Sequence, residues 1–161
     1  MSKSQTISTT ASDPTVAAAA AQFLSPVVLG LQALTVNGKQ AHWHVRGANF
    51  IGVHEFLDTL VEHAGDFADT AAERIVALGL PIDARVGTVA EKSTATSVPA
   101  GFTKSDDLVR AVIADIDAVL VDVRAAIDGL DEVDLTSQDV AIEIMRGLEK
   151  DRWFLVSHIA E

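Results

Sequence analysis

The sequence predicts an all-α fold built as a four-helix bundle, and three observations carry that expectation. Ala, Val, Leu, Asp and Glu dominate while aromatic residues make up 5% and Tyr is absent, a composition that favours helices over sheets. Helix-starting and helix-stopping residues divide the chain into long segments. One of these segments, Leu108, Val112, Ile116, Val119, Val123 and Ile127, repeats its apolar positions at three and four residues. At 161 residues the chain is one domain's worth, long enough to bury a core without disulfides.

Residues 1–12 are Ser/Thr-rich and are expected to form a flexible N-terminal tail ahead of a helical domain at 13–161. Asp13-Pro14 reads as an N-cap followed by Pro at the first helical position. Pro26, with Ser25 available as a cap, predicts a main first helix over about 26–45, with a kink or a separate short helix ahead of it. Arg46-Gly47-Ala48-Asn49 is a tight connection in which Gly47 ends one helix and Asn49 caps the next, making an αα-hairpin. The second helix runs from Phe50 to about Leu78, where Gly79 and Pro81 stop it.

Residues 79–104 form a long crossover with a short helix at 86–92. Ser105 caps a third helix that ends at Gly129. Thr136-Ser137-Gln138-Asp139 resembles a capping box opening a fourth helix that runs almost to Glu161. Two helical hairpins joined by one long crossover is the ferritin-like topology.

The net charge of −11, from 23 acidic and 12 basic side chains, opposes a broad phosphate-binding surface and favours cations as partners. Without cysteine, a metal must be held by the five His and the carboxylates, a donor set suited to iron, manganese or zinc. The N-terminus lacks the pattern of a secretory signal, and no stretch reads as apolar for the roughly 18 residues of a membrane span. A cytoplasmic protein with no membrane partner is the expectation.

The chemistry concentrates between His42 and Glu73. Antiparallel packing of the hairpin brings His42 level with His54, and Asp58 lies one turn from His54 on the same helical face. Two imidazoles and a carboxylate suit a borderline divalent ion such as Fe(II). Asp69 and Glu73 are a second i, i+4 pair, and all four helix positions fall within an arc of roughly 100°. Asp58 and Asp69 are nevertheless about 16 Å apart along the axis, so one copy of this helix cannot supply both halves of a compact site. Taken singly, each His or acid pair reads as solvated surface; the combination on one face points to metal.

Residues 39–79, KQAHWHVRGANFIGVHEFLDTLVEHAGDFADTAAERIVALG, closely resemble the signature of the Dps family, the DNA-binding proteins from starved cells. The resemblance rests on Lys39-Gln40-Ala41-His42-Trp43, Gly47, Asn49-Phe50, His54-Glu55, Asp58, Asp69 and Ala72-Glu73-Arg74. It continues more weakly into Leu148-Glu149-Lys150 and Trp153-Phe154. It implies a dodecamer of 23 symmetry, an iron-storing cage with ferroxidase sites at two-fold interfaces, about two iron ions at each site, and hydrogen peroxide or dioxygen as oxidant. Carried over, His42, His54 and Asp58 come from one subunit, and Asp69 and Glu73 from its two-fold partner. Trp43 resembles the tryptophan beside that centre, where packing at the interface is at least as good an account as a redox part.

His44 stands where the motif commonly has Asn, and either adds a weak ligand or changes a surface hydrogen bond. His63 and His158 match no role and are expected to be exposed or packed. No Glu is followed by His three residues later, which argues against an ordinary ferritin site within one subunit. Glu55 and Glu62 are candidate mineral-nucleation carboxylates, with solvated helix faces as the alternative. Asp139 and Glu143 are candidate cation-pore residues, although acids in a first turn also stabilise a helix dipole.

The alternative function is a DNA-binding, chromosome-compacting particle in which ferroxidase activity is secondary. Only Lys3 precedes Lys39 among the cations, and twelve subunits would carry about −130 formal charges, so DNA binding is expected to be weak or absent.

Overall fold

The computed structural model describes residues 13–160; the expected tail at 1–12, with Lys3, lies outside the described residues. Five helices follow in order: α1 (Pro14–His44), α2 (Phe50–Ala77), α3 (Val86–Lys92), α4 (Ser105–Leu130) and α5 (Leu135–Ile159). Two-residue strands β1 (Val45–Arg46) and β2 (Thr103–Lys104) pair in parallel, fastening the end of the crossover to the α1–α2 turn. The four long helices form the expected bundle, α1 packing on α2 and α4, and α5 packing on α4 and α2. The short crossover helix spans the residues that the sequence predicts.

α1 begins as read from the sequence, with Asp13 accepting a hydrogen bond from the Thr15 amide and Pro14 in the first turn. It does not break at Pro26. Proline removes one backbone donor, but Pro26 is exposed while Leu24, Val27, Val28 and Leu31 on the other side are buried, so core packing holds the helix through it. Ser25, expected as a cap, instead donates its hydroxyl back to the Ala21 carbonyl.

This helix also corrects the reading that no stretch is apolar over the length of a membrane span. An 18-residue window of α1 reaches a mean hydropathy of 1.5, long and apolar enough by composition to cross a bilayer. Half of that window is buried inside the bundle, which accounts for its apolarity as core.

The turn after α1 places Gly47 at φ +101° and Asn49 at φ +56°, so both residues chosen for the turn adopt left-handed backbone. Asn49 occupies the N-cap position without a side-chain cap; only its carbonyl accepts, from Val53. α2 ends in a Schellman arrangement in which the Gly79 amide donates to Val76 and the Leu80 amide to Ile75.

Three further end assignments differ from the sequence reading. Ser105 is the first helical residue of α4 rather than its cap, with Lys104 in the cap position. Gly129 lies inside α4, which continues to Leu130; it is needed there because a Cβ would stand 2.3 Å from the Phe23 ring. α5 starts at Leu135 with Asp134 at the cap, so Thr136–Asp139 do not form a capping box. Asp134 instead accepts from the Ser137 hydroxyl and from Arg74 on α2 at 2.7 Å. Burial pushes the Asp134 carboxyl up, but those hydrogen bonds outweigh it and leave the group below its ordinary value.

Candidate metal centre

The end of α1 and the first turns of α2 bring three of the five expected ligands together. The His42 and His54 rings stack with centroids 3.7 Å apart and planes 25° from parallel. Each fixes the other: His42 Nδ1 lies 2.8 Å from the His54 carbonyl oxygen, and His54 Nδ1 lies 2.9 Å from the His42 carbonyl oxygen. A carbonyl only accepts, so each Nδ1 carries the proton, and in the neutral imidazole each Nε2 keeps its lone pair for a metal. Phe50 stacks on the other side of His54 at 5.1 Å. His42 is 8% exposed, so these bonds hold a ring that the core has already confined.

Asp58 completes the group from one turn further along α2. Its Oδ1 lies 3.2 Å from His42 Nδ1 and is ion-paired with the Lys39 ammonium, one turn before His42 on α1. The Lys39 hydrogen bond, with smaller charge effects from His42, Lys39 and His54, holds the carboxyl below its ordinary value despite some desolvation. Both contacts fall on Oδ1, leaving Oδ2 without a hydrogen-bond partner among the described residues.

Asp69 and Glu73 are exposed on α2 and do not join this group. Within one chain, no set of three or more His, Asp or Glu closes into a metal-binding cluster among the described residues. Glu55 and Glu62 are also exposed on α2, as are Asp139 and Glu143 on α5. Trp43, next to His42, is 61% exposed.

Of the other histidines, His44 and His63 have defined partners. His44 Nδ1 lies 2.8 Å from the Gln40 carbonyl oxygen, and its ring tilts against Phe102 at 5.3 Å, an arrangement that agrees with a local hydrogen-bonding part. His63 is more than the exposed or packed residue expected. Its Nδ1 lies 3.0 and 2.9 Å from the two oxygens of Asp151, a buried carboxylate on α5 that burial pushes above its ordinary value. His158 is part-buried, its ring 3.6 Å from where a Cβ on Gly52 would stand. Neither the Lys39–Asp58 pair nor the His63–Asp151 pair has a short-range sequence signal; their members are 19 and 88 residues apart.

Four long helices, one long crossover and an imidazole–carboxylate group at a hairpin end define a ferritin-like protein, and a family model for the ferritin-like domain matches residues 30–161. The chain belongs to the Dps family. It is 38% identical over 125 residues to the DNA protection during starvation protein of Mycolicibacterium smegmatis, covering 75% of this chain and 66% of that protein. The protein of the same description from Agrobacterium fabrum is 37% identical over 124 residues, covering 76% of each. The chain thus spans about two thirds to three quarters of these relatives.

Among solved structures, Dps from Microbacterium arborescens in the high iron form is 71% identical with a TM-score of 0.92, covering 96% of this chain and 100% of that one. Mycobacterium smegmatis Dps in its tetragonal form is 30% identical with a TM-score of 0.89, covering 97% and 96%.

Proposed function

We propose that this chain is a ferroxidase subunit of a homo-oligomeric, iron-storing cage. Fe(II) is the substrate, bound between His42, His54 and Asp58 of one subunit and Asp69 and Glu73 of the partner subunit. The observation that carries the reading is the pinned imidazole pair: both Nδ1 atoms are committed to carbonyls, which leaves both Nε2 atoms available beside a carboxylate with a free oxygen. The iron in the 71% identical relative's described form supports iron as the metal.

The stacked geometry favours two ions per site. Imidazole lone pairs lie in the ring plane, and two nearly parallel rings 3.7 Å apart do not aim them at one ion some 2 Å from each. Each ferrous ion gives up one electron, and hydrogen peroxide accepts the pair as its O–O bond breaks. Hydrolysis of the ferric product releases protons and yields ferric oxyhydroxide. Dioxygen serves as the alternative oxidant. Glu55 and Glu62 on the same helix are assigned to mineral nucleation, and Asp139 and Glu143 to cation entry. Trp43, exposed next to His42, is assigned to packing at the subunit interface beside the centre.

His42→Ala/His54→Ala is expected to slow the initial Fe(II) oxidation rate by more than tenfold, in line with the loss of metal ligands, while the helical circular dichroism stays near wild type. In the wild-type protein the rate falls on acidification, because protonated imidazole and carboxylate do not bind metal. Absorbance after mixing with stoichiometric peroxide checks both. An unchanged initial rate in the double variant overturns the assignment.

A further inference from the structure

We propose that His63 and Asp151 form a proton-operated latch that sets how firmly α5 is held against α2. The two helices meet through aromatic contacts on either side of this pair: Phe56 and Phe154 lie with ring centroids 5.7 Å apart, and the Phe67 ring reaches within 2.2 Å of where a Cβ on Gly147 would stand. Between them, His63 Nδ1 lies 3.0 and 2.9 Å from the two oxygens of Asp151. Asp151 is 1% exposed, and this imidazole is its only hydrogen-bond partner among the described residues. The His63 side chain is 41% exposed, so the pair exchanges protons with water through the ring.

One N–H does not balance a full charge in so dry a place. Two arrangements cancel it, imidazolium against carboxylate or neutral imidazole against carboxylic acid, and both hold the same number of protons. The pair is therefore neutral with that proton and negative without it. The surrounding charges do not replace it. Lys150 is exposed, Arg152 is held by Asp117 and Arg124 by Glu149 on the α4 side, and Glu62 and Asp66, flanking His63 on α2, are exposed acids. Burial pushes the Asp151 carboxyl up, and His63 and Lys150 offset this only in part, in keeping with a pair that retains its proton. The unfolded chain gives the proton up near the ordinary imidazole value of about 6.5. The folded pair keeps it to higher pH, so the latch is fully closed below that value and is lost as pH rises beyond it.

Amide hydrogen exchange on the assembled, metal-free protein tests the latch, at about pH 6 and about pH 8.5, either side of the imidazole range. Rates are corrected for the intrinsic base-catalysed exchange. In wild type, protection over residues 59–67 and 147–155 is expected to fall by about tenfold at the higher pH, the effect of one partly screened charge, while residues 24–34 in the core of α1 stay unchanged. Asp151→Asn, which removes the charge and keeps the shape, should show the same protection at both pH values. His63→Gln keeps a donor but does not titrate; it should be as weakly protected at about pH 6 as wild type at about pH 8.5, and it decides the matter if Asp151→Asn loses its helical circular dichroism. Equal protection of the seam at both pH values in wild type overturns the latch. So does a fall of wild-type size in either folded variant, which would place the titrating group elsewhere.

Discussion

Asp122 on α4 shows at the residue scale how the bundle spends stability on a carboxylate. It is part-buried, and burial pushes its carboxyl above the ordinary value. Between the unfolded and the raised folded value the folded chain holds the extra proton, so stability falls as pH rises through that window and stays lower at neutral pH. Asp122→Asn is expected to raise the urea midpoint at pH 7 and to leave it unchanged at about pH 3, below the unfolded carboxylate value; equal gains at both pH values would contradict this. Other single residues differed in how openly they could be read. His42, His54 and Asp58 were legible because hairpin geometry and the i, i+4 rule place them together using only local spacing. Lys39 was visible merely as part of a motif, since its pairing depends on how two helices lie side by side. Gly129 looked like a stop signal because glycine ends helices more often than it makes room for an aromatic ring from another helix, as it does here for Phe23.

At the scale of elements, the lengths of the helices and the crossover were legible and the caps were not. Gly47 and Gly79 worked as signals because positive φ is a property of the residue itself. Ser105 and Thr136–Asp139 failed because several neighbouring residues can serve as a cap, and tertiary contacts choose among them; Asp134 was chosen by Arg74 on α2. Pro26 failed for the same kind of reason, a local preference overridden by a buried face. The crossover itself is held by a residue that no local pattern identifies. Asp115, fully buried on α4, accepts from the Ser97 amide through Oδ1 and from Asn37 Nδ2 at 3.0 Å through Oδ2, while Asn37 also donates to the Ala95 carbonyl at 2.7 Å. Asp115→Ala removes both of these part-buried hydrogen bonds to a fully buried carboxylate, and is expected to cost about 2–4 kcal/mol. Urea unfolding measures the loss, and limited proteolysis should show new cleavage between residues 93 and 104. A variant as stable and as resistant as wild type would remove Asp115 as the anchor.

At the scale of the whole molecule, α2 carries a symmetry that one chain does not use. His54 and Glu73, Asp58 and Asp69, Glu62 and Gly65, and the exposed Ile51 and Val76 are each equidistant from the point between His63 and Ala64. The proposed centre calls for a two-fold axis through that point, which would lay α2 antiparallel to its copy, set each His54/Asp58 end against Asp69 and Glu73 of the partner subunit, and give two equivalent centres per dimer. The outer ligands lie about 14 Å from the axis at 1.5 Å per residue, so the helices must cross at a shallow angle of about 20° to stay in reach of each other. Gly65, whose Cβ would meet nothing within 4 Å among the described residues, would leave room at such a crossing. Activity should then require two chains. A His42→Ala/His54→Ala/Asp58→Ala subunit and an Asp69→Ala/Glu73→Ala subunit are each expected to be inactive alone. Unfolded and reassembled together, they form some dimers with one intact and one fully ablated centre, because each chain supplies the half that the other lacks. In random one-to-one pairing about half the dimers are mixed and each has one of two centres, so recovery should approach about a quarter of the wild-type oxidation rate. Mass spectrometry of the reassembled protein verifies the mixing and peroxide-driven oxidation reads the recovery. Verified mixed dimers with no recovered activity would place all the ligands within one chain, and the two-fold centre would be wrong.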